Sequence, residues 1–143
     1  MKRKQGFSLI ELVVAMVIAA ILAAIAIPRF SDSEIQATWF HEQVKAAVRY
    51  AQRQAVAQRR CVFVSVTAVQ VKLVYGDAGC AITATPLTQI TTGALYELIA
   101  PTGVAMDPVV FSFNGLGQPS GTGLTFNVAG RPITVTAETG YVK

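Results

Sequence analysis

The chain has 143 residues, of which 52% are apolar and 14% charged, and it carries a formal net charge of +4 with a pI of about 9.3. The length fits one domain of roughly 100–200 residues, and the apolar content excludes an intrinsically disordered chain. A basic pI on its own favours nucleic-acid binding, so the positions of the charges matter.

The chain begins with a short basic leader, residues 1–6, which contains Lys2, Arg3 and Lys4. An apolar run follows from residue 7 to residue 27, in which 19 of 21 residues are apolar and only Ser8 and Glu11 are not. A helix of this length spans about 31 Å, close to the roughly 30 Å hydrocarbon core of a bilayer. The sequence therefore predicts a transmembrane helix whose basic leader stays in the cytoplasm.

A cleaved secretory signal peptide is the alternative, with Ala24, Ile25 and Ala26 as its small-residue cleavage site. The apolar run is longer than the roughly 7–15 residues usual in a signal peptide. Glu11 also lies inside it, and an acidic residue within a membrane segment indicates function because its insertion is costly. The competing interpretation of Glu11 is that its carboxylate reaches back to the lipid headgroups.

Residues 6–11, Gly-Phe-Ser-Leu-Ile-Glu, resemble the processing site of type IV prepilins and pseudopilins. This resemblance implies that a prepilin peptidase cuts after Gly6 and that Phe7 becomes the N-methylated N-terminus. It also implies that Glu11 is the fifth residue of the mature chain and that Pro28, at mature position 22, bends the helix. In an apolar filament core, the Glu11 carboxylate would compensate the buried α-ammonium group of a neighbouring subunit.

The pattern becomes amphipathic over residues 29–60. Five apolar residues recur at spacings of 4, 3, 4 and 4, which predicts one helix face: Phe40, Val44, Ala47, Ala51 and Ala55. Three basic residues recur every four positions on another face: Lys45, Arg49 and Arg53. We expect one long helix from about residue 7 to residue 58, roughly 78 Å in length, with or without a kink after Pro28.

The remaining residues, 61–143, have the pattern of a small antiparallel β domain. Apolar and polar residues alternate over 62–67 and 69–75, as in paired strands. Further predicted strands are 95–100, 109–114, 124–129 and 133–137. The predicted fold class is therefore α+β and type IV pilin-like: a long N-terminal helix, transmembrane over 7–28 and amphipathic over 29–60, packed on a β domain over 61–143.

Cys61 and Cys80 both lie in the part of the chain predicted to be exported. An extracytoplasmic compartment permits a disulfide, which would close a loop of about 20 residues and stabilise the fold by roughly 3 kcal/mol. Two free buried thiols are the alternative. Two cysteines and a single histidine argue against a metal site, and no cofactor is predicted.

Several segments are similar to minor pilins of the GspH/FimT type: residues 44–55, the pair Arg59 and Arg60, and the stretch 129–142. Together with residues 113–119, they are most similar to a minor pilin of mannose-sensitive haemagglutinin (MSHA) pili. The resemblance implies a low-abundance subunit held in the bacterial inner membrane and then assembled into a filament for priming, adhesion or surface attachment. Its partners would be other pilin subunits, the prepilin peptidase and an inner-membrane assembly platform. The alternative is an H-type minor pseudopilin of a type II secretion system.

Some FimT-type minor pilins bind DNA through basic residues near a C-terminal Gly-Arg-x-Arg pattern. Here Arg131, in Gly-Arg-Pro-Ile, and Lys143, in Gly-Tyr-Val-Lys, lack the second arginine. With Lys45, Arg49 and Arg53 they are the candidate DNA or partner contacts, although we favour a solvated helix face or a contact with neighbouring subunits. Removal of the leader leaves nine basic against eight acidic side chains, or +1, so the basic pI mainly records the leader.

An exported enzyme is the other class to weigh, and no catalytic residue is predicted. His41, the only histidine, is expected on the surface of the amphipathic helix, and no spacing suggests a Ser-His-Asp arrangement. The glycines at 115–123 do not precede a helical pattern, as a phosphate-binding loop requires. Three aromatic residues are candidates for an interface, although aromatic residues more often belong to a domain core: Trp39, Tyr96 and Tyr141.

Overall fold

The computed structural model describes residues 8–26, 33–89 and 92–143. They belong to two compact units, one extending to Ile35 and the other running from Gln36 to Lys143. Three predicted features lie outside the described residues: the leader with its cleavage site at Gly6, the N-terminal Phe7 of the mature chain, and Pro28.

Helix α1 runs from Leu9 to Ala26. It begins after Ser8, whose carbonyl oxygen accepts hydrogen bonds from the backbone N–H groups of Glu11 and Leu12 at 3.0 and 3.2 Å. Its large apolar side chains are exposed: Leu9, Ile10, Leu12, Val13, Val14, Met16, Val17, Ile18, Ile21 and Leu22. Within the described part of the chain, no helix combines the length and the apolar character that crossing a membrane requires.

Helix α2 runs from Ser33 to Gln58, and one of its faces is buried: Phe40, His41, Val44, Ala47, Val48, Ala51 and Ala55. The predicted apolar face is thus confirmed. The helix ends in a Schellman motif, in which the Arg60 N–H donates to the Ala55 carbonyl at 3.1 Å and the Arg59 N–H to the Val56 carbonyl at 3.3 Å. Arg59 adopts the left-handed conformation that closes this motif, with φ of 49°.

The larger sheet is antiparallel and contains five strands: β1 (Val62–Val66), β2 (Gln70–Gly76), β3 (Ile82–Pro86), β4 (Glu97–Ile99) and β5 (Val109–Phe113). Its main path is β3-β2-β1-β5. Strand β4 also pairs with β2, on the edge that β3 occupies further along, so β3 and β4 share one edge of β2.

The smaller sheet pairs β6 (Leu124–Val128) with β7 (Arg131–Val135) in antiparallel fashion. Ala129 and Gly130 connect the two strands with positive φ values of 55° and 71°, as a tight two-residue hairpin turn requires. Single bridges extend this sheet on both sides, from Met106 to Val128 and from Val135 to Val142. The C-terminal residues therefore lie beside β7.

The α+β class is confirmed, but the strand predictions need two corrections. Strand β3 was not predicted, because Ile82 is its only large aliphatic residue and the alternation that marks a strand is absent. Strand β7 begins at Arg131 rather than Ile133, although Pro132 has no N–H to donate. Thr134 exchanges backbone hydrogen bonds with Lys143 on the side of β7 away from β6. Pro132, two residues earlier in the strand, faces that same side, so its missing N–H removes no hydrogen bond to β6.

One hydrophobic core joins α2 to both sheets. The largest fully buried side chains come from every layer: Val44 and Val48 of α2, Val62, Val64 and Leu73 of the larger sheet, and Val128, Ile133 and Val135 of the smaller sheet. The second half of the predicted long helix thus packs on the β domain, as expected.

Candidate assembly surface

Glu11 lies in the first turn of α1, where its negative charge is favourable near the positive end of the helix dipole. The Ser8-x-x-Glu11 spacing is also a helix-start signature, which gives a second reason for an acid at this position. The Glu11 carboxylate is exposed and makes no hydrogen bond or ion pair with a described residue. It is therefore available to a group from outside the described chain.

Cys61 and Cys80 form a disulfide, with their Cα atoms 5.4 Å apart. Cys61 directly precedes β1, and Cys80 lies in the loop between β2 and β3. The Asp77 carboxylate shapes this loop by accepting hydrogen bonds from the N–H groups of Gly79 and Ala81 at 2.9 and 2.8 Å. The predicted bridge is confirmed, and two free thiols are excluded.

The predicted basic stripe on α2 is only partly available to a ligand. The Lys45 ammonium lies 3.9 Å from Glu42, and its side chain is mostly buried. Arg49 donates from Nη2 to the Val142 carbonyl oxygen at 3.1 Å, whereas Arg53 is exposed.

The other candidate cations are spread over the domain. Arg60 donates to the Gly76 carbonyl at 3.1 Å and lies over the Tyr75 ring, with 4.9 Å between its guanidinium carbon and the ring centroid. Arg131 is exposed at the start of β7, and its side chain has no hydrogen bond or ion pair with a described residue. Lys143 exchanges backbone hydrogen bonds with Thr134. Lys143 adjoins Val142, whose carbonyl oxygen accepts the hydrogen bond from Arg49.

Gln52 is a structural residue that the sequence pattern did not reveal. Its side-chain amide donates to the carbonyl oxygens of Gly117 and Thr139, at 3.0 and 2.9 Å, and so ties α2 to a loop and to the C-terminal segment. Gly140 has φ of +65°, and a Cβ there would overlap the Gly117 carbonyl oxygen. The two glycines were the sequence signal for this close approach of three segments.

His41 is buried, with 7% of its surface exposed, which corrects the predicted surface position. Its Nδ1 lies 3.4 Å from the Glu42 carboxylate, and its Nε2 has no hydrogen-bond partner in the described part of the chain. The side chain is enclosed because position 41 adjoins the apolar face that packs on the β domain. Among residues 8–26, 33–89 and 92–143, no three His, Cys, Asp or Glu side chains are placed to hold a metal ion.

Trp39 and Tyr141 are exposed, by 68% and 61%, so neither belongs to the domain core, and of the two alternatives the interface position remains. Tyr96 is half-buried and stacks on Tyr50 with a centroid separation of 5.0 Å. Burial, and then the nearby Tyr50, raises the pKa of Tyr96 above its usual value. An exposed tryptophan on a helix is a typical partner contact, because it offers a large rigid apolar surface.

The described residues of the domain line several surface depressions, including an open groove and a smaller pocket. An open groove of about 730 Å³ lies between the end of α2 and the following β5 loop, lined by Val56, Arg59, Asn114, Gly115 and Leu116. A smaller pocket of about 220 Å³ lies where β3 and β4 meet β2, and the Lys72–Glu97 ion pair, at 3.2 Å, forms part of its lining. Neither has the convergent polar groups typical of a catalytic cleft.

Comparison with known proteins gives two matches and one negative result. Residues 1–27 match the prokaryotic N-terminal methylation motif. The structure is similar to the type IV minor pilin FimU of Pseudomonas aeruginosa strain PAO1, with a TM-score of 0.55 and 15% sequence identity over 74% of this chain and 90% of that one. No curated protein sequence matches the chain.

These matches differ in extent. The motif lies in residues 1–27, and the likeness to FimU extends over most of the chain and includes an α+β domain. The chain therefore combines the N-terminal methylation motif of type IV prepilins with the fold of a type IV minor pilin.

Proposed function

We propose that this chain is a minor subunit of a type IV pilus, held in the inner membrane by its N-terminal helix and then assembled into the filament. One observation carries the proposal: a prepilin-type methylation motif precedes a domain with the fold of a minor pilin. The disulfide between Cys61 and Cys80 supports export of the β domain, because such bonds persist in oxidising compartments. No enzymatic activity is proposed.

The N-terminal segment would act in three steps. A prepilin peptidase removes residues 1–6 after Gly6, and the α-amino group of Phe7 is methylated. The apolar residues of α1, exposed in the isolated chain, then pack against lipid and later against neighbouring helices in the filament. There, the Glu11 carboxylate compensates the ammonium group of a neighbouring subunit, because an unpaired charge in an apolar core is strongly unfavourable.

Mass spectrometry of the membrane-bound chain tests this processing. The expected N-terminus is a methylated Phe7, and a Gly6→Glu variant is expected to keep its leader. An N-terminus near residue 27 would instead establish a cleaved signal peptide and a soluble exported protein. A full-length chain with an unmodified Met1 in a strain that has the peptidase would also contradict the proposal.

We place the subunit in an MSHA-like pilus rather than in a type II secretion system. The segments over residues 113–119 and 129–142, which resemble the MSHA minor pilin MshC, support this choice. Deletion of the gene should reduce the number of surface pili seen by electron microscopy and leave secretion of folded exoproteins unchanged. Loss of exoprotein secretion with normal piliation would identify an H-type minor pseudopilin.

Binding of DNA for natural transformation is the less favoured function. Arg49 and Lys45 are held by contacts within the domain, and Arg131 makes no contact that would place it beside them. An electrophoretic mobility shift decides the matter, because phosphate contacts give affinity that decreases with salt. Micromolar, salt-sensitive binding that is lost in Arg131→Ala or Arg53→Ala would favour the DNA-binding function instead.

A further inference from the structure

Asn114 directly follows β5, and its side chain organises the turn over residues 114–118. Its Oδ1 atom accepts two hydrogen bonds, from the backbone N–H groups of Leu116 and Gln118, both at 3.0 Å. Its Nδ2 atom donates to Gln118 Oε1 at 3.3 Å. The Gly117 N–H donates to the main-chain carbonyl of Asn114 at 2.9 Å and closes a four-residue turn. The carboxamide is therefore folded back over the first peptide groups of this turn.

Position 115 has no room for a side chain. A Cβ built on Gly115 would lie 3.1 Å from the Cα and carbonyl carbon atoms of Arg59, at the end of α2. The Gly115 N–H makes no hydrogen bond with a described residue. Packing against α2 thus requires a glycine after Asn114, and the nitrogen of this glycine is free to react.

This arrangement places a nucleophile next to a polarised carbonyl carbon. In an Asn-Gly pair, the main-chain nitrogen of the glycine can attack Cγ of the asparagine and close a five-membered ring. The two N–H groups that donate to Oδ1 would stabilise the oxyanion of the tetrahedral intermediate, as such donors do in acyl transfer. The Nδ2 atom, which must leave, is held by one long hydrogen bond to Gln118.

We propose that Asn114 is a self-modification site, at which the folded domain converts this asparagine to aspartate or isoaspartate. The Gly115 nitrogen bonds to Cγ and gives up its proton, and the Cγ–Nδ2 bond breaks with release of ammonia. One water molecule then opens the resulting succinimide. Cleavage of the Cγ–N bond gives aspartate, whereas cleavage at the main-chain carbonyl carbon gives isoaspartate. The net change replaces an amide with a carboxylate, and no oxidant or second protein takes part.

The two products have different effects on the domain. Both add a negative charge to the groove at the end of α2, which Asn114 lines together with Arg59. The Arg59 side chain makes no hydrogen bond or ion pair with a described residue, so it is available to that charge. Isoaspartate also lengthens the main chain by one methylene group. The turn that it lengthens carries the Gly117 carbonyl, which accepts a hydrogen bond from Gln52 at 3.0 Å, so isoaspartate should weaken the junction between α2 and this turn.

Incubation of the folded, detergent-solubilised chain at mildly alkaline pH tests the site. Peptide mass spectrometry detects the conversion of amide to acid and locates it. The chain contains two asparagines, and Asn127 is the internal control because the β-branched Val128 follows it and its Nδ2 donates to Asp107 at 2.8 Å. We expect conversion at Asn114 and an unmodified Asn127. An Asn114 that stays intact, or that converts no faster than Asn127, overturns the proposal.

Comparison with the unfolded chain tests the hydrogen bonds on Oδ1. In concentrated guanidinium chloride at the same pH, the Asn-Gly pair is present without the turn. The folded chain should convert Asn114 about fivefold faster, the effect of one net hydrogen bond on the intermediate. An equal or slower rate in the folded chain would mean that the turn does not activate Asn114 and would overturn the proposal.

Two variants separate the chemistry from its effect on folding, and circular dichroism confirms that each is folded. Asn114→Gln retains a carboxamide but needs a six-membered ring, so it should not convert; conversion at the native rate would refute the ring mechanism. Asn114→Asp adds the charge without lengthening the main chain. The converted fraction of the native chain, separated by ion exchange, contains isoaspartate and should unfold at a lower urea concentration than Asn114→Asp. Equal midpoints would contradict the effect assigned to isoaspartate. The reaction needs only the folded domain, so these results are independent of the proposed function, which leader cleavage tests.

Discussion

Arg49 on α2 donates a hydrogen bond to the carbonyl oxygen of Val142, 93 positions later in the chain, at 3.1 Å. The basic spacing on α2 had suggested a surface contact for this arginine, and the structure gives it a role inside the domain as well. The Val142 side chain is itself buried beside β7, so the guanidinium holds the C-terminal segment against the core. Arg49 therefore links the helix to the last strand pairing of the smaller sheet.

Replacement of this side chain should destabilise the domain. A hydrogen bond from a charged donor contributes about 1.5–3 kcal/mol, so Arg49→Ala should lower the free energy of unfolding by about that amount. Denaturation of the detergent-solubilised chain by urea measures this change. Arg53→Ala is the matched control, because that arginine is exposed and bonds only within its own helix. Equal losses in the two variants would contradict the role assigned to Arg49.

The helices and most strands could be predicted because each follows from a pattern of neighbouring residues. The contacts between these elements could not be predicted in this way. The spacing of Phe40, Val44 and Ala51 marks a buried helix face in any fold. By contrast, the exposure of Trp39 depends on which part of α2 the β domain covers. The order of the strands in the sheet determines which part this is. Strand β3 is held by its ladder to the preceding strand, β2, and has little apolar alternation, so its own residues carry no strand signal.

The residues of the candidate site also fall into two groups, those that a local motif predicts and those that only the folded structure reveals. The motif at residues 6–11 is contiguous and its chemistry is local, so Gly6, Phe7 and Glu11 stand out in the sequence. The bonds from Gln52 to Gly117 and Thr139 join positions 65 and 87 residues apart, and no spacing along the chain encodes them. His41 was misplaced because a periodic pattern does not give the width of the buried face.

Gly140 tests the close approach of the C-terminal segment to the loop at Gly117. In Gly140→Ala, the added Cβ meets the Gly117 carbonyl oxygen, and the backbone is also strained at φ of +65°. We expect a loss of about 3 kcal/mol or more in the free energy of unfolding, the sum of strain and overpacking. Gly93→Ala is the control for strain alone, since its φ is +68° and no described residue lies within 4 Å of the added Cβ. It should lose only about 1–2 kcal/mol.

The disulfide should contribute measurably to stability. Its cysteines are 19 positions apart, and closing a loop of this size stabilises a fold by about 3 kcal/mol in the chain-entropy model. Reduction should therefore lower the urea midpoint of the native chain. A Cys61→Ala/Cys80→Ala variant should start at the lower midpoint and show no response to reductant. An unchanged native midpoint after verified reduction would mean that the bond is not needed for the folded state.

The raised pKa of Tyr96 predicts that the stability of the folded chain decreases at alkaline pH. Because the pKa of Tyr96 is raised above 10.0, the folded chain keeps the phenolic proton to a higher pH than the unfolded chain does. The stability that the protonated Tyr96 side chain adds to the folded state is fully present below a pH of about 10. It is lost as the pH rises through the pKa of Tyr96 in the folded state. Urea titrations at successive pH values should show a shallower alkaline decrease in Tyr96→Phe. Tyr141→Phe, at an exposed ring, should retain the decrease of the unmodified chain.

Glu11 separates processing from assembly. Glu11→Val retains the cleavage site and the apolar run, so the leader should still be removed. In a filament core, the unpaired ammonium group of a neighbour would then cost about 3–5 kcal/mol, which corresponds to a loss of incorporation on the order of 100-fold or more. Immunoblots that compare sheared filaments with membranes measure the ratio of assembled to membrane-bound subunit. Glu11→Asp keeps the carboxylate and should retain more assembly, whereas normal assembly of Glu11→Val would rule out the charge pairing.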